Sequence, residues 1–108
     1  MIVRYPLAST DTALTSSPNP SVGGQSVTFT ATVTAAGYGT PTGTATFKDG
    51  ANTLGTVVLS AGQATFSING LSVGSHSITV VYGGDANYNA STSSVLTQTV
   101  NTAWYSPN

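Results

Sequence analysis

The chain has 108 residues, enough for one domain with a single hydrophobic core. Only 5% of the residues are charged and the net charge is −1, so the chain lacks the basic patch that binds nucleic acid and the polybasic cluster that attracts a membrane surface. The absence of cysteine excludes disulfides, and because no apolar stretch of about 18 residues is present, no membrane insertion is predicted.

The amino-terminal third contains the clearest strand pattern. Residues 1–9 show no periodicity and are predicted to be a leader or linker. Residues 10–17 favour an edge strand with Leu14 facing inward, and the following Pro18-Asn19-Pro20 ends its pairing because proline lacks an N–H donor. Residues 26–35 alternate without a fault, and their apolar members are Val27, Phe29, Ala31 and Val33. The opposite face is lined by threonine, which predicts a strand buried on one side and solvated on the other.

Three shorter segments continue this pattern in the middle of the chain. Residues 43–48 and 63–68 each alternate apolar and polar side chains. Residues 53–60 are predicted to be a further short strand or a pair of extended pieces, in which Gly55 indicates a bulge or kink. Asn69-Gly70 is open to two interpretations, a two-residue hairpin turn or the start of a longer crossover to a second sheet. We prefer the crossover.

The stretch from Leu71 to Asp85 predicts the central strand of the domain. It opens with a turn at Gly74 and closes with the turn Gly83-Gly84-Asp85. Residues two apart share one face of an extended chain. Here that face carries His76, Ile78, Val80 and Tyr82.

The last strand is predicted at residues 94–100, and its facing is open because Leu96 and Val100 compete with Val95 for the inward side. Residues 101–108 are predicted to be a tail or linker. About seven short strands, separated by turn signals and without a helical segment, predict an all-β, antiparallel two-sheet sandwich with Greek-key connections.

Four separated motifs follow one another along the chain. They are SPNPS at 17–21 followed by GQSVTFTA at 24–31, PTGTATFKDG at 41–50, LSVGSHSI at 71–78 and YGGDANY at 82–88. Together they resemble the bacterial immunoglobulin-like (Ig-like) domain repeat over roughly residues 10–100. The resemblance implies an Ig-like sandwich, usually one of several tandem modules in a large secreted or surface-anchored bacterial protein. Members of this family serve mostly as stalks, spacers and adhesive or carbohydrate-contacting modules, and they are not catalytic.

His76 is the only histidine of the chain. A lone histidine makes no catalytic relay without a nucleophile and an orienting acid. Its position two residues after Gly74 resembles the tyrosine corner of Ig-like sandwiches, which implies a hydrogen bond to the backbone of the crossover loop. We therefore predict a structural corner residue.

Asp85, Asn87 and Asn89 place oxygen-bearing side chains at alternate positions, as the opening of a calcium loop does. The sixth position of such a loop is Ala90 here instead of glycine, and the twelfth is Leu96 instead of glutamate. We prefer a connecting turn in which Asp and Asn side chains bond to their own backbone, with calcium at these three residues as the alternative. No cofactor is therefore predicted.

Several residues lie on predicted loops. Tyr38 and Tyr88 belong to two loops that emerge at the same end of an Ig-like sandwich, and we hypothesise that they form a recognition surface. The preferred alternative is that each ring packs over its own loop. Trp104 and Tyr105 lie in the predicted tail. Lys48-Asp49 precedes a glycine turn and is predicted to be solvated.

These patterns predict a non-catalytic module that acts as a structural spacer or stalk. The resemblance implies neighbouring Ig-like repeats as the module's partners and an extracellular or cell-surface location, directed by signals outside this chain. The alternative function is adhesion to a glycan or to a host or cell-surface protein through Tyr38 and Tyr88. Five charged residues and one histidine offer no plausible acid–base pair, so no enzyme activity is predicted.

Overall fold

The computed structural model describes residues 7–102, which form nine strands and no helix. Over these residues no helix is long and apolar enough to span a bilayer. The strands are β1 (Asp11–Ser17), β2 (Ser21–Val22), β3 (Val27–Thr34), β4 (Thr44–Asp49), β5 (Asn52–Val58), β6 (Gln63–Ile68), β7 (Gly74–Tyr82), β8 (Ser91–Thr92) and β9 (Leu96–Asn101).

Two sheets pack face to face. The smaller sheet has the order β1-β3-β6, and the larger has the order β2-β9-β7-β4-β5 with the short β8 also paired to β7. The chain passes between the sheets after β1, β2, β3, β5 and β6, so the preferred crossover after Ile68 is confirmed. Every pairing between two strands is antiparallel except that of β2 with β9. The predicted all-β, two-sheet sandwich is therefore confirmed.

The core lies between the sheets, where the alternating residues of β3, β4 and β7 meet. Each large apolar side chain in this layer contributes roughly 1.5–3 kcal/mol by leaving water. The predicted inward residues are buried in all three strands, apart from His76 near the start of β7. They are Val27, Phe29, Ala31 and Val33 of β3, Ala45 and Phe47 of β4, and Ile78, Val80 and Tyr82 of β7.

Gly55 lies beside a bulge, as predicted. In the pairing of β4 with β5, Phe47 is opposite Gly55 but Lys48 is opposite Thr53, which leaves Leu54 as the extra residue. A Cβ atom at position 55 would approach the Phe66 ring to 2.6 Å. Phe66 instead stacks on Phe47, with 5.6 Å between the ring centroids. The absence of a side chain at Gly55 makes room for this aromatic pair.

The facing of β9 is settled by its burial. Val95 is exposed, whereas Leu96 is half-buried and Val100 is buried. Between them, Gln98 is fully buried, and its Nε2 donates to Pro18 O over 2.9 Å and to Ser21 Oγ over 3.2 Å. The inward face of the last strand therefore contains a polar side chain that joins it to the first part of the chain.

The two prolines between β1 and β2 end one pairing, as predicted, but the chain then joins the other sheet. Asn19, between the prolines, makes two hydrogen bonds to the backbone of β9. Its Nδ2 donates to Thr97 O over 2.9 Å, and its Oδ1 accepts from Thr99 N over 3.2 Å. The side-chain amide thus replaces the backbone pairing that proline cannot provide.

The sandwich has two ends, which hold different loops. The upper pole comprises residues 7–10, 35–43, 59–62 and 83–90, since β1 begins with Asp11 opposite Thr34 and β6 begins with Gln63 opposite Thr32. The lower pole comprises residues 23–26, 50–51 and 69–73, and β9 ends beside it with Asn101 opposite Val22. The described chain therefore enters at one pole and leaves at the other.

Candidate functional site

The upper pole is organised around the carboxylate of Asp85. Its Oδ1 accepts the backbone N–H of Asn87 over 2.7 Å and that of Tyr88 over 3.0 Å. Its Oδ2 accepts the Thr42 hydroxyl. The Thr42 hydrogen bond, helped by the two backbone donors, lowers the pKa of Asp85 below its ordinary value of 3.8. This is the geometry of a turn closed by its own aspartate.

The neighbouring asparagines bind the amino-terminal segment. Asn87 O accepts from Ala8 N over 3.0 Å, and Asn89 N donates to Ala8 O over 2.8 Å. The side chain of Asn89 donates to Leu7 O over 3.4 Å. Part of the predicted leader is thus paired with this loop. In residues 7–102 no three His, Asp or Glu side chains are grouped as a metal ion would require.

Tyr38 and Tyr88 are brought together, but in different roles. The Tyr88 hydroxyl donates to the backbone carbonyl of Tyr38, and the Tyr88 ring is half-buried against the core. The Tyr38 side chain is 68% exposed. An open cleft lies beside the Tyr38 loop, and its lining includes Thr32, Thr40 and Gln63. Only Tyr38 of this pair offers an exposed ring. Trp104 and Tyr105 lie outside the described residues.

Tyr82 is a polar anchor that the sequence pattern does not distinguish from an ordinary core residue. Its ring is fully buried, and its hydroxyl donates to Thr42 O over 2.5 Å. Burial raises the pKa of Tyr82, because an ionised phenol would lose its hydration. A tyrosine at the end of a buried strand needs a partner for its hydroxyl, which is the signal that could have identified this contact.

His76 ties two parts of the lower pole together. Its Nδ1 lies 2.6 Å from Asp49 Oδ2, and its Nε2 lies 2.6 Å from the backbone oxygen of Ser72. The side chains of His76 and Asp49 are only 11% and 22% exposed. The hydrogen bond to the crossover loop is the one that the corner position implies. Asp49 is paired here, contrary to the prediction that it is solvated.

The two contacts of His76 have a consequence for its charge. A carboxylate and a carbonyl are both hydrogen-bond acceptors, so each ring nitrogen must carry a proton to satisfy both. The carbonyl of Ser72, and then the Asp49 carboxylate, raise the pKa of His76 above 6.5 against the opposing effect of burial. The imidazolium form therefore fits this site best.

Asp49, His76 and Ser72 are the residue types of a catalytic triad, but their arrangement differs. In a triad the serine hydroxyl faces the second ring nitrogen of the histidine. Here that nitrogen faces the Ser72 backbone carbonyl, which is no nucleophile. The trio therefore joins the crossover loop to the end of β4 and provides no attacking group.

The geometry defines a class of protein: an Ig-like β-sandwich whose polar residues hold its loops in place. The family model of the bacterial Ig-like domain (group 3) matches residues 14–101. The chain belongs to this family, as the motifs predicted. The predicted domain limits at residues 10 and 100 stay predictions.

A solved structure has the same fold. The fibronectin(III)-like modules of Clostridium thermocellum CbhA superpose with a TM-score of 0.63 at 20% identity, covering 83% of this chain and 94% of that one. The comparison with curated proteins gives no match.

Proposed function

We propose that this domain is a non-catalytic structural spacer in a larger bacterial cell-surface or secreted protein, with further Ig-like repeats as its neighbours. The observation that carries the proposal is the placement of the described ends. β1 starts at the upper pole and β9 ends beside the lower pole. Modules joined in this way extend along one line, and each adds its own length to the array.

The loops at both poles support the same proposal. Asp85 and Tyr88 hold the upper pole, while His76 holds the crossover loop of the lower pole. A spacer needs loops that keep their shape without a ligand, because the mean separation of its neighbours depends on a constant module length. Hydrogen bonds to charged groups supply such order, since they are stronger than those between neutral groups.

Small-angle scattering tests the proposal on a protein that carries two copies of this domain in direct succession. We expect a maximum dimension close to twice that of a single copy. A matched control has a Gly/Ser linker between the copies, which should broaden the distance distribution because such linkers are flexible. A two-copy protein that folds side by side, with nearly the dimension of one copy, would contradict the spacer function.

A second candidate function is adhesion through the upper pole. It is favoured by the exposure of Tyr38 on a loop whose backbone is fixed by Tyr88. An exposed aromatic ring on a held loop provides contact area at low entropic cost. Glycan-array and protein-binding measurements should then show binding that Tyr38→Ala abolishes. Val73→Ala, which alters an exposed side chain of the lower pole, is the control. Absence of binding by the unaltered domain removes this candidate.

We also propose that the domain works without calcium. The Asp85 carboxylate already accepts three donors, so a metal ion would have to compete with them for its oxygens. Thermal melting in millimolar calcium and in chelator should give the same Tm. A calcium-dependent rise in Tm, absent in Asp85→Asn, would assign Asp85, Asn87 and Asn89 as ligands.

A further inference from the structure

The crossover loop between β6 and β7 carries an exposed Asn-Gly pair. Asn69 and Gly70 are both exposed, and they lie between the end of β6 and the start of β7. A Cβ atom at position 70 would have no heavy atom within 4 Å. Within residues 7–102 the Gly70 N–H has no hydrogen-bond acceptor. Its backbone nitrogen is therefore both accessible and unoccupied.

This arrangement allows an intramolecular reaction of the asparagine side chain. The Gly70 backbone nitrogen attacks Cγ of Asn69, a C–N bond forms, and the side-chain amide nitrogen leaves as ammonia after taking up the proton lost from Gly70 N. The product is a five-membered succinimide. Water then opens the ring at either carbonyl, which yields aspartate or isoaspartate. Glycine favours the attack because it has no Cβ to hinder the ring or restrict the backbone.

The chain contains a comparison for this pair, since Asp49-Gly50 could form the same ring with loss of water. There the Gly50 N–H donates to Ser77 O over 2.8 Å, and the Asp49 carboxylate is held by His76. Neither the nucleophile nor the carbonyl is free to move. The Asn69-Gly70 and Asp49-Gly50 pairs therefore differ in the freedom of the side chain and in the hydrogen bonding of the glycine nitrogen.

Two other asparagines are also hindered from forming a succinimide. Asn19 precedes Pro20, whose nitrogen has no proton to lose. Asn87 precedes Tyr88, whose N–H donates to Asp85. In each case the following nitrogen is blocked or engaged, whereas that of Gly70 is neither.

We propose that Asn69 is a modification site, at which the folded protein undergoes spontaneous deamidation through a succinimide. The modification adds one negative charge to a chain whose net charge is −1. Its isoaspartate form also lengthens the backbone of the loop that presents Ser72 to His76. Deamidation thus alters the lower pole of the module over time.

The test is incubation of the folded 108-residue protein in neutral buffer, followed by peptide mapping. Deamidation raises the mass of a peptide by about 1 Da, and isoaspartate is identified by its separate elution. We expect the peptide with Asn69 to convert first, and Gly70→Ala to slow it by about tenfold through added hindrance. Because the space around Gly70 is open, this variant should keep the Tm of the unaltered protein.

Two controls keep the proposal falsifiable. Asn69→Gln should abolish the early mass change, because the corresponding ring would have six members and forms slowly. Incubation in denaturant gives the rate for the unfolded chain. The proposal is overturned if Asn69 converts only in denaturant, or if isoaspartate accumulates at Asp49 or another asparagine as fast as at Asn69 in the folded protein.

Discussion

The two poles of the sandwich hold their loops with charges of opposite sign. At the upper pole an anion, Asp85, accepts hydrogen bonds from Thr42 and from two backbone donors. At the lower pole a cation, His76, donates to Asp49 and to the Ser72 carbonyl. The hydrogen bonds of an anionic acceptor weaken when it gains a proton, and those of a cationic donor weaken when it loses one. One fold therefore has an acid-sensitive end and an alkali-sensitive end.

The largest expected effect comes from a glycine at each pole. Gly84 has a φ of +78°, and a Cβ there would lie 2.8 Å from Tyr88 O, so Gly84→Ala adds a clash to backbone strain. Gly74 has a φ of +133° with no heavy atom within 4 Å of the added Cβ. We expect Gly84→Ala to lower the free energy of unfolding by roughly 2–4 kcal/mol and Gly74→Ala by roughly 1–2 kcal/mol. Urea denaturation at neutral pH measures both. Equal losses of stability would show that the clash at Gly84 adds nothing to the cost of backbone strain.

Replacement of His76 should destabilise the lower pole and leave the contacts of the upper pole intact. In the folded state the pKa of His76 is raised above 6.5, so its contribution is full below pH 6.5 and is lost as the pH rises through the folded pKa. His76→Phe should cost about 1–2 kcal/mol at mildly acidic pH and remove the decline of stability above that range. Denaturation at a series of pH values tests this. A variant that retains the alkaline decline would place its cause elsewhere.

Replacement of Asp85 should destabilise the upper pole and change the acid side of the stability profile. The pKa of Asp85 is lowered below 3.8 by Thr42 and the backbone donors, so its contribution is present above that value and lost as the pH falls through the folded pKa. Asp85→Asn should lower the Tm at neutral pH and reduce the further loss on acidification. Melting curves from neutral to acidic pH provide the measurement, with His76→Phe as the variant whose acid behaviour should stay unchanged.

The smallest effect is expected at Tyr38. Its side chain is 68% exposed, and its backbone carbonyl, which Tyr88 binds, survives any substitution. Tyr38→Ala should change the free energy of unfolding by less than about 0.5 kcal/mol. Tyr88→Phe, which removes the hydroxyl from that contact, should cost more. If Tyr38→Ala is the more damaging of the two, the exposed ring stabilises the loop.

The sequence was most informative where side chains alternate over a whole strand. The patterns of β3, β4 and β7 predict their inward residues because a buried face repeats every second residue. Gln98 could not be predicted as buried, since its partners Pro18 and Ser21 lie about 80 residues away in the chain. Only the sheet order brings them together.

The polar contacts of the loops were similarly hidden. Asp49 precedes a glycine turn and therefore resembles a solvated residue, but the register of β4 and β7 places it within reach of His76. Tyr88 has no periodic context, so its packing against the core depends on the fold of loop 83–90. For such residues the local sequence limits the conformation, while the partner is set by tertiary structure.

The parallel pairing of β2 with β9 has a mechanical consequence. Tension between the two ends of the described chain draws β1 and β2 toward one pole and β9 toward the other, so these strands slide lengthwise against each other. The backbone pairing of β2 with β9, together with the two hydrogen bonds made by Asn19, then carries the load at the same time. A hairpin pulled open at one end instead loses its bonds one after another. The short β2 and the last strand, β9, thus form a clasp that is loaded in shear.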